Sequence, residues 1–225
     1  MNLTPAEYAY ILREDLTSFI ERAFLELNPQ AQLLLNPHIE VIATKLEACR
    51  HGKINRLIIN LPPRHLKSIC TSVAFPAWVL GHNPAAHIIC ASYGQDLAEK
   101  LARDCRRVML SHWYQQLFRT RLADRQAIHD FATTVAGTRM ATSVGGVLTG
   151  RGADLLLLDD PLKPEEALSE TRRGSVNEWY DGTLLSRLND KARGCIKTTW
   201  WATFSSRRAG RSCPFRPLLR WTRRI

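Results

Sequence analysis

The sequence predicts an α/β protein, a three-layer sandwich around a mainly parallel sheet, and short apolar runs that alternate with helical patterns carry that prediction. Residues 56–61 (RLIINL) form an apolar run of strand length that ends in Pro62-Pro63. A Lys67-Ser68 pair follows, and then a helical pattern over 69–80. A second apolar run, 153–158, ends in Asp159-Asp160-Pro161. A third, 87–92, precedes a strong helical periodicity over 95–110. Runs of four to eight apolar residues are the length of buried strands, and their alternation with helices favours a parallel sheet covered on its faces.

The elements follow in order. Over 5–27, Tyr8, Ile11, Leu12, Phe19, Ile20 and Phe24 recur at helical spacing, which predicts one amphipathic helix ended by Asn28-Pro29. A second helix is expected over 37–50, with Ile39, Ile42, Leu46 and Cys49 inward and His51-Gly52 as its stop. On the 95–110 helix, Leu97, Leu101, Val108 and Met109 share one face, while Lys100, Arg103, Arg106 and Arg107 fall largely on another. That basic face suits either solvent or a phosphate backbone. Residues 128–147 alternate and are rich in small side chains, with Gly137-Thr138 as the expected hairpin turn. Gly145-Gly146 and Thr149-Gly150-Arg151-Gly152 make a loop just before the carboxylate run. Residues 170–188 read as helical, with Trp179 expected to pack on the sheet in preference to stacking on a base.

Strand, tight loop, Lys-Ser and helix is the layout of a P-loop, the Walker A motif. Backbone N–H groups there cradle phosphate oxygens, the Lys reaches the β- and γ-phosphates, and the Ser hydroxyl ligates Mg²⁺. Pro63, Arg64, His65, Leu66, Lys67 and Ser68 are therefore the candidate ATP-binding residues. The usual pattern has glycine where this chain has Leu61 and Leu66. A non-glycine residue at positive φ costs about 1–2 kcal/mol, so the loop is expected either to differ or to carry offset strain. In P-loop NTPases the strand beside the P-loop strand ends in an acid that holds Mg²⁺, the Walker B position. Asp159 is the candidate, and Asp160 next to it is placed to orient and deprotonate water. Alone, the first motif also reads as a buried strand, a Pro-Pro turn and a surface Lys; the two motifs together are hard to explain that way. His38 is a candidate for contact with adenine, with a cap or surface position as the alternative.

The net charge of +10 on 225 residues is concentrated at the end of the chain. Residues 191–225 hold ten Lys or Arg and no acid, so the remainder is balanced. The six cysteines form no C-x-x-C pair and no metal spacing with histidine, and reduced, buried thiols are expected. No apolar stretch approaches the roughly 20 residues needed to span a bilayer, and the N-terminus lacks a secretory pattern. No membrane association and a cytoplasmic location are expected.

Residues 56–65 (RLIINLPPRH) with Lys67-Ser68 resemble the ATPase motif of tailed-bacteriophage terminase large subunits. Supporting blocks are Ala91-Ser92-Tyr93, residues 148–154 (LTGRGAD), Leu158-Asp159-Asp160-Pro161 and Trp179-Tyr180, and the resemblance covers about 35–195. It implies a P-loop NTPase of the ASCE type with N-terminal helices, an ATP- and Mg²⁺-dependent motor that packages viral double-stranded DNA. The implied partners are the terminase small subunit and the portal, and the implied assembly is a homo-oligomeric ring in the bacterial host cell. By position, Lys67 and Ser68 bind phosphate and Mg²⁺, Asp159 holds the metal, and Arg64 stabilises transition-state charge. Asp160 takes the place of the usual catalytic glutamate; its shorter reach leaves Glu165 and Glu166 as alternatives. The implied division is a helical region at 1–52, an ATPase core at 53–196 and a basic tail at 197–225 that departs from the family. Where family members continue into a coupling strand and a nuclease domain, this chain runs to Arg, Pro and Trp. The expectation is a disordered tail, from frameshift in a degenerate prophage copy or as a basic DNA-binding extension. Residues 198–204 retain a composition fit for an edge strand. Slow or absent turnover and no nuclease activity are expected. A helicase-like P-loop ATPase and a non-catalytic DNA-binding or assembly module are the alternatives.

Overall fold

A computed structural model describes residues 3–34, 36–124, 127–148, 150–189, 195–199 and 217–220. Helices α1 (Pro5–Glu14), α2 (Leu16–Leu27) and α3 (Pro37–Arg50) precede strand β1 (Arg56–Asn60). A π-wound segment, Ile69–Ala74, runs into α4 (Phe75–His82), followed by β2 (His87–Ser92), α5 (Gln95–Leu110) and α6 (His112–Leu117). Strands β3 (Asp130–Ala132), β4 (Thr138–Ser143) and β5 (Leu155–Asp159) come next, then α7 (Glu170–Trp179), β6 (Cys195–Thr199) and β7 (Pro217–Arg220). The strands form one seven-stranded sheet in the order β3-β4-β2-β5-β6-β1-β7. Every pairing is parallel except β3 with β4.

Side chains alternate across a strand, and this divides the core in two. Ile88, Cys90, Leu155, Leu157 and Ile196 face the large helical layer, where Leu12, Phe19, Ile42, Trp78, Leu101 and Tyr114 are buried. Ile89, Ala91, Leu156 and Leu158 face the other way, onto Tyr180, Leu184 and Leu188. The second layer is thus thin, built by the turns that continue α7. Trp179 packs into it. No helix among the described residues is long and apolar enough to cross a membrane.

The single helix expected over 5–27 is two. Asp15 is extended (φ −115°, ψ 110°) and its carboxylate accepts from the Ser18 N–H at 2.7 Å, ending α1 and capping α2. A short carboxylate that can take a free backbone N–H competes with the helix ladder, even inside a continuous apolar stripe. The hairpin expected within 128–147 is present as β3–β4, and Ala136 (φ 68°), not Gly137, takes the left-handed position in its turn. Gly137 is required for another reason: a Cβ there would lie 2.0 Å from the Pro84 carbonyl oxygen.

Two placements correct the sequence reading. The carboxylate strand is not beside β1, because β6 lies between them and pairs Ile196 with Leu57 on one side and Leu157 on the other. Tail residues 197–199 therefore stand inside the sheet, not at its edge, and 217–220 form β7 on the far side of β1. Both flanks of β1 present N–H and C=O groups that need partners, and the β-branched pair Thr198-Thr199 suits a pleated strand. The disorder expected for the rest of the tail, 200–216 and 221–225, falls outside the described residues.

Candidate functional site

The C-terminal ends of β1 and β5 bring the two sequence motifs together. The Lys67 ammonium donates to Asp160 Oδ1 at 2.6 Å, across 93 residues of sequence. Lys67 is 5% exposed and the Asp160 side chain 33% exposed, so the pair joins a buried ammonium to a partly solvated carboxylate. Asp159, the last residue of β5, is 2% exposed and accepts from the Ser72 hydroxyl at 3.1 Å. Behind the pair, burial and then the Asp159 charge push the Cys70 thiol up to about 12, as expected where water is scarce.

The loop that carries Lys67 is held in an uncommon shape. Arg64 (φ 64°) and Leu66 (φ 58°) are both left-handed, and Asp160 across the site has φ 42°. The second glycine position of the P-loop pattern thus keeps its positive φ with a leucine in it. Leu66 is half-buried against the main core, contact that offsets part of a strain of about 1–2 kcal/mol. The N–H groups of Arg64, Leu66 and Lys67 donate to no other described residue. Left-handed residues whose N–H groups no described residue takes form a concavity suited to an anion. Pro63, Arg64 and His65 are exposed, and Ser68 is helical (φ −65°, ψ −35°) at the start of the π-wound segment.

His38 reaches the loop from α3: its Nε2 lies 3.3 Å from the His65 carbonyl, and the two rings meet edge to face at 5.5 Å. His65 Nδ1 in turn lies 2.9 Å from the Pro63 carbonyl. Glu165 is exposed and Glu166 half-buried on the turn after Pro161, whereas the carboxylate on the Lys67 ammonium is that of Asp160. Tyr93 holds Asp160 from the backbone, its N–H donating to the Asp160 carbonyl at 3.0 Å, and Lys163 sits 5.8 Å over the Tyr93 ring. Ser72 is a site residue that sequence reasoning missed. Its only signal is spacing, one helical turn beyond Ser68 and hence on the same side.

Asp159 and the Ser68 hydroxyl suit a Mg²⁺ ion, which usually takes one or two carboxylates and completes its shell with water and ligand phosphates. Among the described residues, no three His, Cys, Asp or Glu side chains converge on one point. The unpaired loop N–H groups and the buried ammonium supply the complementary anion seat.

Fold and site together define a mixed α/β protein with a mostly parallel sheet and a buried Lys–Asp constellation at its strand ends. Among solved structures, the chain is similar to the crystal structure of the HK97 bacteriophage large terminase, with a TM-score of 0.51 and 14% identity. The match covers 83% of this chain and 37% of that one, so the chain spans little more than a third of that protein's length. The fold is terminase-like. No family model matches the sequence, and no curated protein matches it.

Proposed function

We propose that this chain is the ATP-binding part of a phage terminase large subunit, a P-loop motor module that acts on double-stranded DNA. The observation that supports this most is the meeting of Lys67 with Asp160, beside a buried Asp159, at the mouth of a strained loop with unpaired N–H groups. Lys67 and the loop N–H groups bind the phosphates, and Ser68 and Asp159 hold Mg²⁺. Bound Mg²⁺ supplies charge neutralisation at the β- and γ-phosphates. Phosphate oxygens replace Asp160 on the Lys67 ammonium, which frees the Asp160 carboxylate to orient a water and accept its proton. Exposed Arg64 stabilises negative charge at the transferring group. The loop around Gly150 moves with hydrolysis, and DNA is held through salt-sensitive phosphate contacts. The small subunit, the portal and further copies of the chain complete the motor inside the bacterial host.

Turnover is expected to be slow or absent. Steady-state ATP hydrolysis with and without duplex DNA tests the assignment. Asp160→Asn should abolish whatever turnover the wild type shows, whereas Glu165→Gln with Glu166→Gln should leave it within about twofold. The reverse pattern would move the base to the turn after Pro161. A second reading, a module that binds DNA without turnover, leaves the Lys67–Asp160 ion pair closed, with Asp160 kept on the ammonium that a nucleotide needs. Strand separation driven by ATP would instead indicate a helicase-like enzyme.

A further inference from the structure

Arg139 lies in β4 and is 0% exposed, the second largest of the fully buried side chains. Among the described residues, two of its guanidinium nitrogens, Nε and Nη1, have no hydrogen-bond partner. The third, Nη2, donates to the Ser72 carbonyl at 3.2 Å. The Cys105 thiol of α5 lies against the same group. An arginine stays charged in any protein environment, and a buried ion costs several kcal/mol unless it is well compensated. One carbonyl and one thiol do not compensate it fully. An apolar side chain of similar length would serve the fold as well or better.

The carbonyl that Arg139 takes belongs to the residue whose hydroxyl donates to Asp159. Ser72 sits in the π-wound segment, and single π turns are weakly held and recur at functional sites. We propose that Arg139 is a positioning residue for the divalent-ion seat. It fixes the Ser72 carbonyl, which keeps the Ser72 hydroxyl on Asp159 and sets the orientation of that carboxylate. This rests on the nucleotide-and-Mg²⁺ reading of the site and adds to it a residue two strands away from β5.

The test measures ATP affinity in EDTA and in Mg²⁺ for the wild type, Arg139→Met, Ser72→Ala and the double variant, with a melting temperature for each. Outer partners of metal ligands are worth about 10–100-fold in metal affinity. Arg139→Met should melt at or above the wild-type temperature, keep its Mg²⁺-free ATP affinity and lose about tenfold of the Mg²⁺-dependent gain. Ser72→Ala should lose the same gain, and the double variant no more than either. A full Mg²⁺ gain in Arg139→Met overturns the proposal, and in Ser72→Ala it does so even if Arg139→Met fails to fold. Equal loss of Mg²⁺-free binding together with a lower melting temperature also overturns it, by showing a purely structural role. A wild type that binds no ATP in either condition removes the site itself; normal wild-type binding with unaffected variants removes only the role of Arg139.

Discussion

Arg64, Leu66 and Asp160 hold positive φ around one ammonium, and strain of this kind persists only where the surroundings enforce it. Arg64 is exposed, so little packing offsets its share. Arg64→Gly should raise stability by up to about 1 kcal/mol and leave ATP affinity nearly unchanged. If Arg64 meets transition-state charge, turnover should fall by about 10³-fold or more; denaturant titration and single-turnover hydrolysis read the two effects. Asp160→Asn removes the competitor for Lys67, so ATP should bind several-fold more tightly while hydrolysis is lost. Weaker binding would mean that the carboxylate organises the loop for the nucleotide and does not compete with it. Away from the site, His82 is wedged between Trp78 and Phe118 with Nε2 2.9 Å from the Arg13 carbonyl. Burial, then the Arg50 charge, lowers its pKa below the ordinary 6.5. Above that pH the ring is neutral in both states. As pH falls, the unfolded chain takes up the proton first, so stability is lost from about pH 6.5 downward, by at most about 1.4 kcal/mol per unit. Denaturation at stepped pH should show stability falling as pH drops below about 6.5, and His82→Gln should flatten the fall.

The turns show how close approach, more than local propensity, decides where glycine is needed. A Cβ on Gly137 would meet the Pro84 backbone at 2.0 Å, whereas one on Gly152 would meet the tip of the Asn189 side chain at 2.2 Å. Gly137→Ala should therefore cost about 1–3 kcal/mol. Gly152→Ala should cost under about 1 kcal/mol, because Asn189 can turn away with the loss of one exposed hydrogen bond to Asp154. Thermal melts of the two variants check the contrast. Neither contact is legible in a one-dimensional pattern. By contrast, α3, α5 and β2 were legible: the two helices carry apolar residues at helical spacing, and β2 is a short continuous apolar run of strand length. The break at Asp15 was not, because the stripe of apolar residues runs on through it and only the backbone shows the cap.

For the whole molecule, the decisive fact is that β6 separates and joins the two halves of the site. The sequence of the tail from 197 onward, stripped of acids, reads as a departure from an ordered domain, yet 197–199 continue the strand begun by Cys195-Ile196 and help fill the gap between β1 and β5. A truncation at residue 194 should therefore abolish cooperative unfolding, as circular dichroism melts would show, and cannot serve as a clean test of the tail in DNA binding. The site was legible where its chemistry ends an apolar run: Lys67, Asp159 and Asp160 declare themselves by position. Ser72 and Arg139 do not, because a serine in a helix and an arginine in an alternating strand look solvated until the sheet buries them. The central claim is that Lys67 and the Asp159–Asp160 pair face one triphosphate. Equilibrium binding of ATP with Mg²⁺ present, wild type against Lys67→Ala, tests it most directly. Saturable binding that weakens at least tenfold in the variant is the predicted result; no binding by the wild type, or equal binding by both, would contradict it.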